Sequence, residues 1–150
     1  MFSYQLGQVV PGTLLSLGLL SGLGVTASPA VTEFIEQAEL TTLQYSHSQL
    51  KSSLQINYLL AGMNPSNSMI INGQEVILKY GYPISKKTEL EKLVDFGNLT
   101  LEEQGSNSIT IWSAYGSYCY RYSEAEIDNN KRQAPKVSQI SEVINGICKS

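Results

Sequence analysis

No aspartate, glutamate, lysine or arginine occurs anywhere from Met1 to Thr32, and the first ionised side chain is Glu33. Histidine is almost missing, since His47 stands alone, and the only cysteines are Cys119 and Cys148. Three scattered ligand-type residues with no pairing in sequence exclude the usual zinc spacings, so no metal site is expected. Basic residues are too few for general polyanion binding: 10 Lys and Arg against 13 Asp and Glu leave a net charge of -3. Lys86-Lys87 and Lys131-Arg132 with Lys136 are the one grouping of cations among tyrosines, and they are expected as a solvated face, so nucleic acid is not an expected partner.

Enzymatic constellations are missing too. No nucleophile stands with a base, no glycine loop is set to cradle a phosphate, and no cofactor is called for. The adjacent acids Glu89/Glu91, Glu102/Glu103 and Glu124/Glu126 lie on polar segments, where solvated surface is the expected state. His47 falls on an apolar helical face and is expected to pack or hydrogen-bond there, with no chemistry assigned. The chain is therefore expected not to be an enzyme.

What is present begins inside the uncharged stretch. Val9 to Val31 reads VVPGTLLSLGLLSGLGVTASPAV, about the ~20 apolar residues that a helix needs to cross a hydrocarbon core. Its glycines and Pro11 and Pro29 are costly in a helix facing water and far less so in a bilayer or a helix bundle. Gly18 and Gly22 have the G-x-x-x-G spacing that lets helices approach closely, which makes them, with Pro29, candidate helix-packing positions.

Beyond Pro29 there is no proline and no glycine until Gly62. Leu43, His47, Leu50, Leu54 and Ala61 recur at steps of three, four and seven, which predicts one helical face. Glu33, Glu36 and Glu39 are expected in the first turns, near the positive end of the helix dipole. A helix from Val9 to Ala61 would be on the order of 80 Å long, too long for a chain of this size to cover, so lipid or other subunits would have to cover its first half.

Gly62 to Ser68, with Asn64-Pro65, is expected to end the helix. Two apolar runs flank Asn72-Gly73, the dipeptide suited to a type I′ hairpin turn, and predict strands at Met69 to Ile71 and Gln74 to Tyr80. Tyr80-Gly81-Tyr82-Pro83 is expected to stop the second strand. Thr88 to Glu91 has capping-box spacing for a short helix ending near Phe96-Gly97. Ser108 to Ser113 and Tyr118 to Tyr122 predict a second hairpin carrying Cys119, Glu124 to Lys136 a loop, and Val137 to Ile147 a last strand or irregular segment that returns Cys148 to the sheet. A Cys119–Cys148 disulfide would close a loop of about 30 residues and contribute roughly 3 to 4 kcal/mol on chain-entropy grounds; two buried thiols are the other reading. The expected class is α+β: a long N-terminal helical stalk packed on a small antiparallel head of four or five strands.

These residues resemble a known family. The run Val25-Thr26-Ala27-Ser28-Pro29, leading from an apolar stretch into an acidic amphipathic half, is similar to the N-terminal helix of type IV pilins, in particular the mannose-sensitive haemagglutinin group. Asn72-Gly73 followed by Gly81-Tyr82-Pro83, and then Cys119 and Cys148, match that group in order across nearly the whole chain. The resemblance implies a prepilin leader over 1–7 cut between Gly7 and Gln8 by a prepilin peptidase, a membrane and filament-core helix half over 8–30, and a head over 31–150. The head would hold the amphipathic helix half 31–61 and a β-sheet region 69–150. It further implies a single-pass stay in inner-membrane lipid, assembly with other pilin subunits into an extracellular pilus, and a role in surface attachment. The family's glutamate position falls on Gly12, and Met1 to Leu6 has no basic residue, as a minor, initiating or tip subunit or a pseudopilin of a secretion system would allow. A secreted binding domain cut after Ala27, starting at Ser28, is the alternative.

Overall fold

A computed structural model describes residues 29–63 and 66–149. The leader 1–7, the apolar segment 8–28, and Asn64-Pro65 lie outside the described residues. The chain divides into two compact units, Met1–Ile35 and Glu36–Ser150. Of the first, only the opening of a helix is described; the second holds the α+β architecture.

Helix α1 runs over Pro29–Met63, 35 residues uninterrupted by proline or by any glycine before Gly62. No helix among the described residues is long and apolar enough to cross a membrane. From Glu39 onward one stripe is buried: Glu39, Leu43, Ser46, Leu50, Leu54, Asn57 and Ala61, at steps of three and four throughout. The step of seven between Leu54 and Ala61 is filled by Asn57, and His47 sits half-buried at the stripe's edge. The first turn of the described helix contains no acidic residue, and Glu33 and Glu36 stand exposed in the turns that follow. Glu39 instead turns inward and accepts a hydrogen bond from the Tyr115 backbone N–H.

The first sheet is a meander of β1 (Ser68–Ile71), β2 (Gln74–Lys79) and β3 (Tyr82–Pro83). Asn72 and Gly73 both have positive φ, 51° and 77°, and join β1 to β2 in a two-residue turn as the dipeptide predicts. Tyr80-Gly81 stops β2 at Lys79, as expected, but the chain goes on to a further strand that was not expected. With φ of 57° and 86° Tyr80 and Gly81 form a second two-residue turn, and Tyr82–Pro83 pairs back on Leu78 and Lys79. Proline is tolerated because β3 is an edge strand.

The short helix α2 spans Lys87–Glu91 with Lys86 at its N-cap and no side-chain cap. The capping box expected over Thr88 to Glu91 does not form, and the helix stops well before Phe96. Glu91, the acid of that box, instead lies 3.7 Å from Lys87 Nζ. Glu89, expected on the surface, is buried: its carboxylate accepts from the Ile77 N–H at 2.7 Å and from Lys92 Nζ at 2.8 Å, so a charged acceptor satisfies a strand donor of β2.

The larger sheet holds β4 (Thr100–Gln104), β5 (Ser108–Trp112) and β6 (Tyr118–Ser123) in sequence order. The far edge of β6 is met by β9 (Lys136–Val137) and then by β10 (Ser141–Ile144), which turns through Asn145-Gly146 into β11 (Ile147–Cys148). The stretch Glu124 to Lys136, expected as a loop, also contains a small hairpin, β7 (Glu126–Asp128) with β8 (Lys131–Gln133), around Asn129-Asn130. Eleven short strands among the described residues therefore replace the four or five expected. Leu101, Ile109, Ile111, Tyr120 and Tyr122 form one face of the larger sheet and pack with Leu43, Leu50 and Leu54 of α1 and with Leu90, Val94 and Phe96. Trp112, half-buried, lies near that sheet's edge and donates from Nε1 to Glu102 Oε2 at 3.1 Å.

The turn at Gly81 lies against α1. A Cβ there would lie 3.3 Å from Ala61 Cβ and 3.5 Å from Tyr58 Cδ2, at a φ that L side chains disfavour. Gly105 has positive φ as well, 64°, but open space around it. Gly81→Ala is expected to lower unfolding stability in urea by about 2–4 kcal/mol, strain and crowding together, against about 1–2 kcal/mol for Gly105→Ala.

Candidate interaction surface

The predicted residues fall in three places. Cys119 and Cys148 are joined in a disulfide with Cα atoms 5.9 Å apart, tying β6 to β11 across the intervening β10. Pro29 opens the described helix. Gly7, Gln8, Gly18 and Gly22 lie outside the described residues.

His47 is a packing residue. Its Nε2 is 2.9 Å from the Ser138 carbonyl, which can only accept, so Nε2 carries the proton. The ring meets Tyr120 edge to face at 5.0 Å. Burial holds its pKa below the ordinary value near 6.5, with the Ser138 bond opposing and Lys51 adding to the effect. Beside it, the Ser46 hydroxyl donates to the Leu43 carbonyl at 2.9 Å, which leaves Tyr120 as donor in the 3.2 Å contact with Ser46. Burial pushes the Tyr120 phenol up to about 12. Tyr122, its neighbour on the same face of β6, donates to the Pro83 carbonyl at 2.5 Å, and burial raises its pKa as well.

The paired acids are not all solvated surface. Glu124 is buried and receives Lys79 Nζ at 2.5 Å, the Ser85 N–H at 3.0 Å and the Ser85 hydroxyl at 3.2 Å. One carboxylate thus ties β2, the segment after β3 and the end of β6. Burial pushes the Glu124 pKa up, but the Lys79 and Ser85 bonds together outweigh it and hold it below the ordinary 4.5; the same bond raises Lys79. Glu89 is buried too, while Glu91, Glu102, Glu103 and Glu126 engage Lys87, Trp112, Lys86 and Asn107. With Lys86 and Lys87 each against a carboxylate, the cation pair that would anchor a basic patch is locally neutralised. Among the described residues no three His, Cys, Asp or Glu gather as a metal site.

No family model, curated protein or solved structure matches this chain.

The surface that stands out lies at the end of α1. Tyr58 stacks on Tyr82 with ring centroids 4.8 Å apart and planes 10° from parallel. Around this pair a groove of about 690 Å³ opens between Leu54 and Leu59 on the helix and Pro135 and Val137 on the segment entering β9. A second depression of about 700 Å³ continues past Tyr58 and Leu59 to Tyr80, whose ring carries the Arg132 guanidinium 5.5 Å from its centroid. The first is lined mainly by apolar and aromatic side chains with Lys51 and Gln55 beside them, and the second mixes these with Ser66, Asn67 and Arg132. Sequence reading missed this surface because its walls come from segments far apart in the chain, the end of α1, Tyr80 to Tyr82, and Arg132 to Val137. The available signal was the second apolar spacing of α1, Ile56, Leu59, Leu60 and Met63, which lies off the buried stripe.

Acid should act on this assembly in two ranges. His47 favours the folded state while neutral, so its contribution is present above its ordinary pKa and is lost as pH falls through the depressed folded value. Glu124 contributes above the ordinary carboxylate range and its share is lost as pH falls below about 4.5 toward its folded value. Glu124→Gln is expected to cost about 1–3 kcal/mol at pH 7 and to flatten the lower limb of the stability curve, measured by urea denaturation from pH 7 to pH 3.

Proposed function

We propose that this chain is a structural subunit of a type IV pilus or pilus-like filament. Its apolar N-terminal segment holds it in the inner membrane before assembly, and the head serves surface attachment. One observation carries the reading: an uncharged run from Met1 to Thr32 leads directly into a 35-residue helix, whose later turns lie on an antiparallel sheet closed by a disulfide. The Val25-Thr26-Ala27-Ser28-Pro29 step, the Asn72-Gly73 turn and Gly81-Tyr82-Pro83 support it in the same order along the chain.

Burial supplies the driving force for assembly. Removing roughly 1,000 Å² of apolar helix surface from water contributes on the order of 25 kcal/mol before the costs of ordering and association. The Cys119–Cys148 disulfide fits a head that lies outside the reducing cytoplasm. No cofactor enters this role.

Gly12 at the position of the family's helix glutamate favours a minor, initiating or tip subunit over a major one. A pseudopilin in a secretion-system filament shares that reading. The competing secreted binding domain would begin at Ser28 and would lose the apolar segment altogether.

Edman sequencing of the mature chain is expected to start at Gln8, and Gly7→Asp is expected to abolish that cleavage. Immunogold labelling of sheared filaments should place the chain in the fibre, sparsely or at one end for a minor subunit. A mature N-terminus at Ser28 with no label on filaments would reject the proposal.

A further inference from the structure

Four lysines of this chain are met by carboxylates: Lys79 by Glu124, Lys86 by Glu103, Lys87 by Glu91 and Lys92 by Glu89. Lys51 and Arg132 have no ion-pair partner among the described residues. Both are exposed, and both line the cleft at the end of α1, Lys51 in the first depression and Arg132 in the second. No Asp or Glu lines either depression. In a chain of net charge -3 this leaves one concave surface with two unneutralised cations and no acid, which favours an anion.

The rest of the lining narrows the chemistry of that anion. The two depressions meet at Tyr58 and Leu59, and Lys51 and Gly62, at the two ends of the helical wall, are roughly 16 Å apart along the axis. That length suits a short chain of linked units rather than one small ion. Gln55 in the first half and Ser66 and Asn67 in the second are exposed and able to exchange hydrogen bonds with hydroxyls. Tyr58, half exposed, and Pro135 add flat apolar surface. Acidic sugars have the matching combination. Their C–H faces pack on aromatic and apolar walls, their hydroxyls meet amides, and a uronate carboxylate pairs with lysine or, in two parallel bonds, with arginine.

A single-stranded nucleic acid fits less well, because it needs open ring faces for successive bases and a cation for most phosphates. Here Tyr58 and Tyr82 stack on each other and Arg132 lies over Tyr80, so all three rings already have a face engaged.

We infer that the cleft at the end of α1 binds an acidic oligosaccharide, its carboxylates paired with Lys51 and Arg132 and its rings packed along Tyr58 and Leu59. This site goes beyond the filament proposal and does not rest on it, since every residue it uses lies between 51 and 137.

The probe is tetragalacturonate, titrated by calorimetry into the full chain in nonionic detergent, with empty micelles as the blank. Saturable binding is expected, and the fully methyl-esterified tetramer, which has the same rings and no charge, should bind at least tenfold more weakly. Lys51→Gln and Arg132→Gln should each weaken the acidic tetramer roughly tenfold, and together more than either alone, while Lys87→Gln leaves it unchanged. Neither groove variant loses an ion pair, so the urea midpoint and the Cys119–Cys148 bond are expected to stay as in the parent chain. In proton–nitrogen spectra the tetramer should shift the side-chain amides of Gln55 and Asn67. No binding, equal binding of the ester, indifference to both groove substitutions, shifts confined to other residues, or tighter binding of a thymidine oligonucleotide through the same residues would overturn the inference. A mature N-terminus other than Gln8 would leave these results untouched, so the two proposals fail separately.

Discussion

The second unit of the chain depends on the seating of α1 against the tyrosine-bearing face of β6. Leu43, Leu50 and Leu54 supply the apolar contact, and Tyr120 gives it register, because its ring meets His47 edge to face while its hydroxyl reaches Ser46. A greasy stripe alone could slide along a sheet by a turn with little penalty. A buried hydroxyl cannot, since leaving it without a partner costs about 1–3 kcal/mol. Burial raises the phenol pKa of Tyr120 to about 12, which favours the protonated, donating form of that hydroxyl.

From this contact the remaining pieces are held by polar ties rather than by a larger core. The three-stranded sheet has only a small apolar cluster of its own, Ala61, Val76 and Leu78. Glu89 and Glu124 hold it to its surroundings, each filling backbone donors and each met by a lysine. Tyr122 reaches the Pro83 carbonyl for the same purpose. Strands as short as β3, β9 and β11 would not persist on ladder bonds alone. Side-chain anchors and, for β11, the Cys119–Cys148 bridge place them.

The apolar half of this arrangement was legible in the sequence and the polar half was not. Leu43, Leu50, Leu54 and Ala61 announced the buried stripe of α1 by spacing, and Asn72-Gly73 announced its turn by its tolerance of positive φ. Glu39, Ser46 and Asn57 belong to the same buried stripe but are invisible to a hydrophobic pattern, and the Tyr115 and Tyr120 groups that meet Glu39 and Ser46 lie on other segments. Glu89 shows the same limit from the other side: its polar segment suggested solvated surface, and a strand donor twelve residues away in sequence claimed it instead. Tyr80 misled because only glycine or asparagine is normally trusted at positive φ. The Tyr58–Tyr82 groove could not be read at all, as it exists only once the turn at Gly81 has brought Tyr82 to the helix.

Trp112 is the chain's single tryptophan, and its place at the Glu102 rim of the larger sheet decides what light can report. Its emission will follow the pairing of β4 with β5 and the polarity around one carboxylate, and will stay nearly silent if α1 lifts from the opposite face. Departure of the helix would instead register in the near-ultraviolet dichroism of Tyr120 and Tyr122, whose rings are fixed by that docking. The two optical signals should thus separate during partial unfolding, giving a fluorescence trace that lags the dichroism trace.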